Sequence, residues 1–176
     1  MSSPNENEGD FVYFETHPRC GYLAQAFTQM TVNFTKAHQL DKAEFLTLAG
    51  SVGVFAMGCN PETGRIEKNP NEPPYWDEVE RPTEESLKPR GQQFHRYYQH
   101  FADHYADTQS LDQDERQRLK ERGLKFMAWA YDKEKDRFEV QGEAGKELNQ
   151  LMKIRAELLP DGYLDTCEAH NNQQQS

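Results

Sequence analysis

Residues 94 to 105 read FHRYYQHFADHY, in which Phe94, Tyr97, Tyr98, Phe101, Ala102 and Tyr105 fall at i, i+3, i+4, i+7, i+8 and i+11. An α-helix turns once every 3.6 residues, so these six side chains line one face and the polar residues between them line the other. The spacing predicts an amphipathic helix buried along an aromatic stripe. Its neighbours on both sides repeat the pattern, which makes the fold class mainly α.

Toward the N-terminus, Leu23, Ala26, Phe27, Met30, Phe34 and Ala37 mark a first helix behind the turn at His17-Pro18. Asp41 then stands at an N-cap position with Glu44 three residues on, as in a capping box, ahead of a second helix through Phe45, Leu48, Ala49, Val52 and Phe55. The opposite face of this segment holds Leu46, Gly50, Gly53 and Met57. It therefore reads as the central helix, with glycines that let a neighbour approach closely.

Toward the C-terminus, Ser110 with Gln113 offers a further capping box, and Leu119, Phe126, Met127 and Ala130 give the apolar face of a fourth helix ending near Tyr131. Residues 126 to 140 can also be read as a small β-hairpin with a charged tip; a turn after the helix is the favoured reading. Gly142 precedes a fifth helix with Leu148, Leu151, Met152, Leu158 and Leu159 on one side, closed by Pro160-Asp161-Gly162. Phe11 to Phe14 form a short strand-like run. The expected architecture is a compact bundle of about five short helices in a single domain over residues 1–160, followed by a flexible acidic and polar tail over 161–176.

Between the second and third helices lies a long acidic loop, residues 59–85, with eight acids against three bases and five of the nine prolines. Residues 1–15 and 157–176 each add four acids and no base. Of the net charge of −10, these three pieces hold −13, so the helical body is about +3. The chain is a slightly basic bundle with acidic appendages, not an evenly acidic particle. Its mean hydropathy of −1.02 reflects those polar pieces, while 11% aromatic residues supply a core.

A connection this long is ordinarily functional or disordered. Here Tyr75 and Trp76 are flanked by Pro73, Pro74 and a run of acids, a composition suited to aromatic anchoring within a polar rim. Tyr75 and Trp76 are the expected anchors, with Glu72, Asp77, Glu78 and Glu80 steering a basic protein partner. Packing of these aromatics on the chain's own bundle is the competing reading. Pro73-Pro74-Tyr75 is not a PPxY ligand, because the tyrosine stands one position too early.

Two other sites are weighed. The fourth helix carries Arg118, Arg122 and Lys125 on one face, a candidate contact for phosphate or an acidic partner and the only route by which nucleic acid enters. The bland alternative is a solvated face paired with local acids. His100 and His104 stand at i and i+4, the spacing by which one helix offers two imidazoles to a metal, and His38 or Glu44 are the candidates for a further ligand. Two boundary histidines beside tyrosines are the expected alternative, and no cofactor is expected.

No HExxH, GxSxG, P-loop or dinucleotide fingerprint occurs, and Gly50-Ser-Val-Gly53 lacks the lysine of a phosphate loop. Cys20, Cys59 and Cys167 lack CxxC spacing and read as free thiols. No run of 18 apolar residues and no signal-peptide pattern is present, so the sequence reads as soluble and cytoplasmic with no membrane association. The function expected from these features is that of a small non-enzymatic interaction protein: an inhibitor, adaptor or accessory subunit. The alternatives are an accessory subunit of a nucleoprotein complex and a metal-dependent bundle enzyme.

Overall fold

The computed structural model describes residues 17–67 and 80–165, which form six α-helices and no strands. They are α1 (Pro18–His38), α2 (Lys42–Gly50), α3 (Val52–Ala56), α4 (Pro89–Thr108), α5 (Gln113–Ala130) and α6 (Gly145–Ala156), with one turn of 3₁₀-helix at Glu84–Ser86. The strand-like run at 11–14 and the end of the tail lie outside the described residues.

α1 is the hub. It packs against α2, α3 and α4, while α4 continues onto α5 and α6 lies against α2. The sequence placed the segment from 41 to 57 at the centre; the structure moves that role to α1 and breaks the segment at Ser51. The break suits the residues: Ser51 tightens the last turn of α2, and its hydroxyl accepts from the Trp129 indole at 3.1 Å. The glycines admit no neighbouring backbone. Gly50 and Gly53 are exposed, and a Cβ on Gly53 would meet nothing within 4 Å.

The core is aromatic, as the stripes predict. Phe27 and Phe55 stack at 4.0 Å, and Tyr98, Phe101 and Phe126 meet Phe27 edge-on at 5.0 to 6.4 Å. A second group joins Phe34, Phe94 and Phe138 at the other end of α1. Offset and edge-to-face pairs of this kind each add about 0.5–1.5 kcal/mol beyond area burial. Tyr98, fully buried, donates its hydroxyl to the Leu119 carbonyl, and burial pushes its ionisation well above the usual tyrosine range.

Helix ends explain two departures from the sequence reading. Asp41 and Glu44 form the expected capping box, but the box opening α5 is Asp112 with Glu115, not Ser110 with Gln113. Ser110 is occupied differently: it takes a left-handed backbone (φ 53°) that closes α4, with the Leu111 amide reaching the Ala106 carbonyl at 2.9 Å. On α6 only Leu148 and Met152, one turn apart, turn toward the bundle. Leu151 is 37% exposed, and Leu158, beyond the helix end, is 80% exposed.

The segment after α5 is a turn. α5 runs to Ala130, and Asp132 and Arg137 then exchange backbone hydrogen bonds at 2.8 and 3.2 Å. This turn has a structural task. Lys88 gives α4 no side-chain cap, and Asp136 supplies one from the turn, accepting from the Arg90 and Gly91 amides at 3.0 Å each and from the Tyr131 hydroxyl at 2.6 Å.

Candidate functional site

The described parts of the acidic loop are its two roots, and both are held firmly. The outgoing root, Gly58 to Glu67, is a tight turn in which Cys59 and Ile66 pair and the Asn60 amide donates to Arg65 at 2.8 Å. The Asn60 side chain fixes the turn from inside, accepting from the Glu62 amide at 2.9 Å and donating to Glu67 at 2.7 Å. The turn is tied to the start of α1 twice: the His17 amide donates to Pro61 at 2.8 Å, and Cys20 is disulfide-bonded to Cys59. This bond corrects the reading of both cysteines as free thiols. Cys167 lies outside the described residues.

Ile66 anchors the turn to α5. Its side chain is 1% exposed, its amide donates to Glu115 Oε2 at 3.0 Å, and its carbonyl accepts from Arg118 at 3.2 Å. Glu115 is itself buried, and its other oxygen closes the α5 capping box. Arg65 lies over this acid pair, 2.9 Å from Asp112 and 3.6 Å from Glu115. Backbone donation from Glu115, aided by Arg65, holds the Asp112 carboxyl below its usual range. On the returning root, Glu80 and Arg81 are exposed, whereas Pro82 and Leu87 are buried.

Between the roots and α5 is a cleft of about 150 Å³ lined by Gly58, Ile66, Glu67, Arg81, Arg118, Glu121, Arg122 and Lys125. The fold thus gathers the three bases singled out on the fourth helix and adds a fourth, Arg81, from the loop itself. They are not equivalent. Arg122 is buried, donates to the Phe55 and Val54 carbonyls at 2.8 and 3.1 Å, and lies 5.6 Å over the Phe55 ring. It adds a charged donor at the C-terminus of α3, where the Met57 and Gly58 amides already reach the same carbonyls and the helix dipole favours a cation. Gly58 makes this possible, because a Cβ there would overlap the guanidinium. Arg118 holds the Ile66 carbonyl while its charge faces the cleft.

Of the proposed loop contacts, Glu80 is exposed and lines a different depression, with Met127, Tyr131 and Lys133, and Glu72, Tyr75, Trp76, Asp77 and Glu78 lie outside the described residues. His100 and His104 are both exposed on α4. The suggested further ligands are engaged elsewhere: the His38 ring stacks on Phe34 at 4.6 Å, and Glu44 is buried against Arg90. Among the described residues no group of three or more histidines, cysteines or carboxylates is placed to hold a metal.

His95, which belongs to the same histidine group on α4, is 7% exposed with Nε2 at 3.0 Å from Glu84 and Nδ1 buried without a hydrogen-bond partner. Burial lowers its pKa, against the pull of Glu84.

The described residues are mainly helical, and both roots of the acidic loop meet a cleft of mixed charge with a basic excess. No helix among the described residues is long and apolar enough to cross a membrane. No family model matches this chain, and neither does any curated protein or solved structure.

Proposed function

We propose that this chain is a non-enzymatic interaction protein, an inhibitor, adaptor or accessory subunit, which meets a basic protein partner through its acidic loop. The observation that supports this reading is the rooting of the loop. A disulfide, a buried carboxylate on the Ile66 amide and a buried arginine beneath Gly58 hold the outgoing root, and Pro82 and Leu87 hold the return. A loop whose ends are fixed loses less freedom when it is captured, so more of its contact energy appears as affinity. Tyr75 and Trp76 are the anchors in this reading, and Glu72, Asp77, Glu78 and Glu80 the steering charges. The test is cross-linking of the chain in its native cells, followed by affinity measurement on the partner so identified. Tyr75→Ala with Trp76→Ala is expected to weaken binding at least about a hundredfold, as loss of two aromatic hot spots does. An unchanged affinity with an intact helical spectrum would remove the loop from the interface.

A second reading is favoured by Arg81 joining Arg118 and Lys125 at one cleft: an accessory subunit that touches the phosphates of a nucleoprotein complex. It predicts binding to nucleic acid that falls with salt, and a shallower salt slope in Arg81→Glu with Arg118→Glu. Binding that ignores salt excludes it.

A further inference from the structure

Four large apolar side chains stand exposed among the described residues: Tyr22, Leu151, Ile154 and Leu158. Three of the four belong to one stretch of chain. Leu151, Ile154 and Leu158 fall at i, i+3 and i+7, so they share the outer face of α6 and of the turn that closes it, where the Leu158 and Leu159 amides reach the Arg155 and Ala156 carbonyls. Both ends of this face are held. Asn149 exchanges hydrogen bonds with the Val140 backbone at 2.8 and 2.9 Å, and beyond the helix Lys42 reaches the Leu159 carbonyl at 2.7 Å and Asp161 at 3.1 Å. A rigid apolar face loses little freedom when something docks on it.

The charges around the stripe choose the occupant. From Glu143 to Glu157 the chain has three acids (Glu143, Glu147 and Glu157) and three bases (Lys146, Lys153 and Arg155), so the segment favours neither a strongly charged protein nor an anionic membrane. The signs are nonetheless ordered along the stripe. Glu147 lies on it four residues before Leu151, and Arg155 flanks it four residues after. Both are exposed, and neither forms an ion pair with another described residue. An acid and a base equally spaced about one leucine make the face complementary to itself. When a second copy lies antiparallel across a two-fold axis at Leu151, the two Leu151 side chains meet, and each Glu147 meets the partner's Arg155. Antiparallel helices also set each helix N-terminus beside a C-terminus, where their dipoles attract.

We propose that the outer face of α6 is a self-association surface on which a second copy of this chain docks antiparallel, with Leu151, Ile154 and Leu158 as the apolar seam and Glu147 and Arg155 fixing its direction. Two short helices make a small contact, at the transient end of specific interfaces, so the dimer is weak and follows concentration. The proposal stands apart from the loop reading, because no residue of α6 lines the cleft at the loop roots.

Sedimentation velocity of the full chain from about 1 µM to about 1 mM tests it, with flotation on phosphatidylcholine vesicles alongside. The weight-average mass is expected to rise with concentration from 20.5 kDa toward twice that value. Ile154→Glu with Leu158→Glu, at exposed positions outside the core, is expected to weaken association at least about tenfold with an unchanged helical spectrum. Glu147→Lys alone and Arg155→Glu alone are each expected to weaken it, because like charges then meet at both symmetric contacts. An equimolar mixture of these two variants is expected to restore it, since the introduced lysine of one faces the introduced glutamate of the other. Neither misfolding nor a change in net charge is reversed by mixing. A chain that stays at 20.5 kDa throughout overturns the proposal, and if it also floats with the vesicles the face belongs to a lipid surface. Association that survives the apolar variant, or a mixture no better than either single variant, overturns it as well.

Discussion

Two glutamates show how single residues tie this fold together. Glu44 and Glu115 each close a local capping box, and each then reaches a distant backbone amide, that of Phe138 at 3.1 Å and of Ile66 at 3.0 Å. Glu44 also meets Arg90 at 3.0 Å and Arg137 at 3.4 Å while only 1% exposed. Removing Glu44 leaves the buried Phe138 amide without its acceptor and Arg90 without its carboxylate, so Glu44→Ala is expected to cost about 1–3 kcal/mol in urea unfolding. A loss under 1 kcal/mol, the range of surface pairs, would show that the cluster contributes little. Asp136 gives the pH counterpart. Burial opposes ionisation, but the Tyr131 hydroxyl and the Arg90 and Gly91 amides outweigh it and hold the carboxyl below its usual range. A carboxyl depressed in the folded state contributes stability that is complete above its unfolded pKa of about 3.9 and is lost as pH falls through the folded value. Asp136→Asn should therefore flatten the acid limb of the stability curve below about pH 4 and lower stability at neutral pH by about 1–2 kcal/mol, the range of a lost cap.

At the scale of elements, hydrophobic spacing announces the segments that are helical, because burying a stripe is a local property of the chain, but one of those segments, 41 to 57, is two helices. The first box at Asp41 and Glu44 was legible for the same reason: its partners are three residues apart. Ser110 misled because the same residue types close helices and open them, and here the left-handed close of α4 comes first. The break at Ser51 was hidden because its partner, Trp129, comes from α5. Gly123 and Gly53 separate two uses of a helical glycine. A Cβ on Gly123 would strike the Tyr98 ring where α4 crosses α5, whereas Gly53 faces open space. Gly123→Ala is expected to lower stability by about 1–3 kcal/mol through overpacking, and Gly53→Ala to raise it by roughly 0.5–1 kcal/mol through helix propensity. Thermal unfolding of the two variants checks both signs.

For the whole molecule, the charge division read from the sequence has a structural counterpart. The acidic loop and the bases of α5 looked like two separate sites, yet the fold sets both loop roots at the cleft those bases line. No spacing rule records that Cys59 reaches Cys20, that Arg122 reaches the end of α3 or that Arg81 returns to α5, because these pairings depend on how the helices pack. The aromatic pair Tyr75 and Trp76 was legible as a composition, and the firmness of the two roots that flank it in the chain was not. The central claim is that this rooted loop is the partner-binding element, and affinity for the native partner with and without Tyr75→Ala and Trp76→Ala, in chains of equal thermal stability, measures it most directly. A loss of at least about a hundredfold is expected; equal affinity in the two chains would remove the loop from the interface.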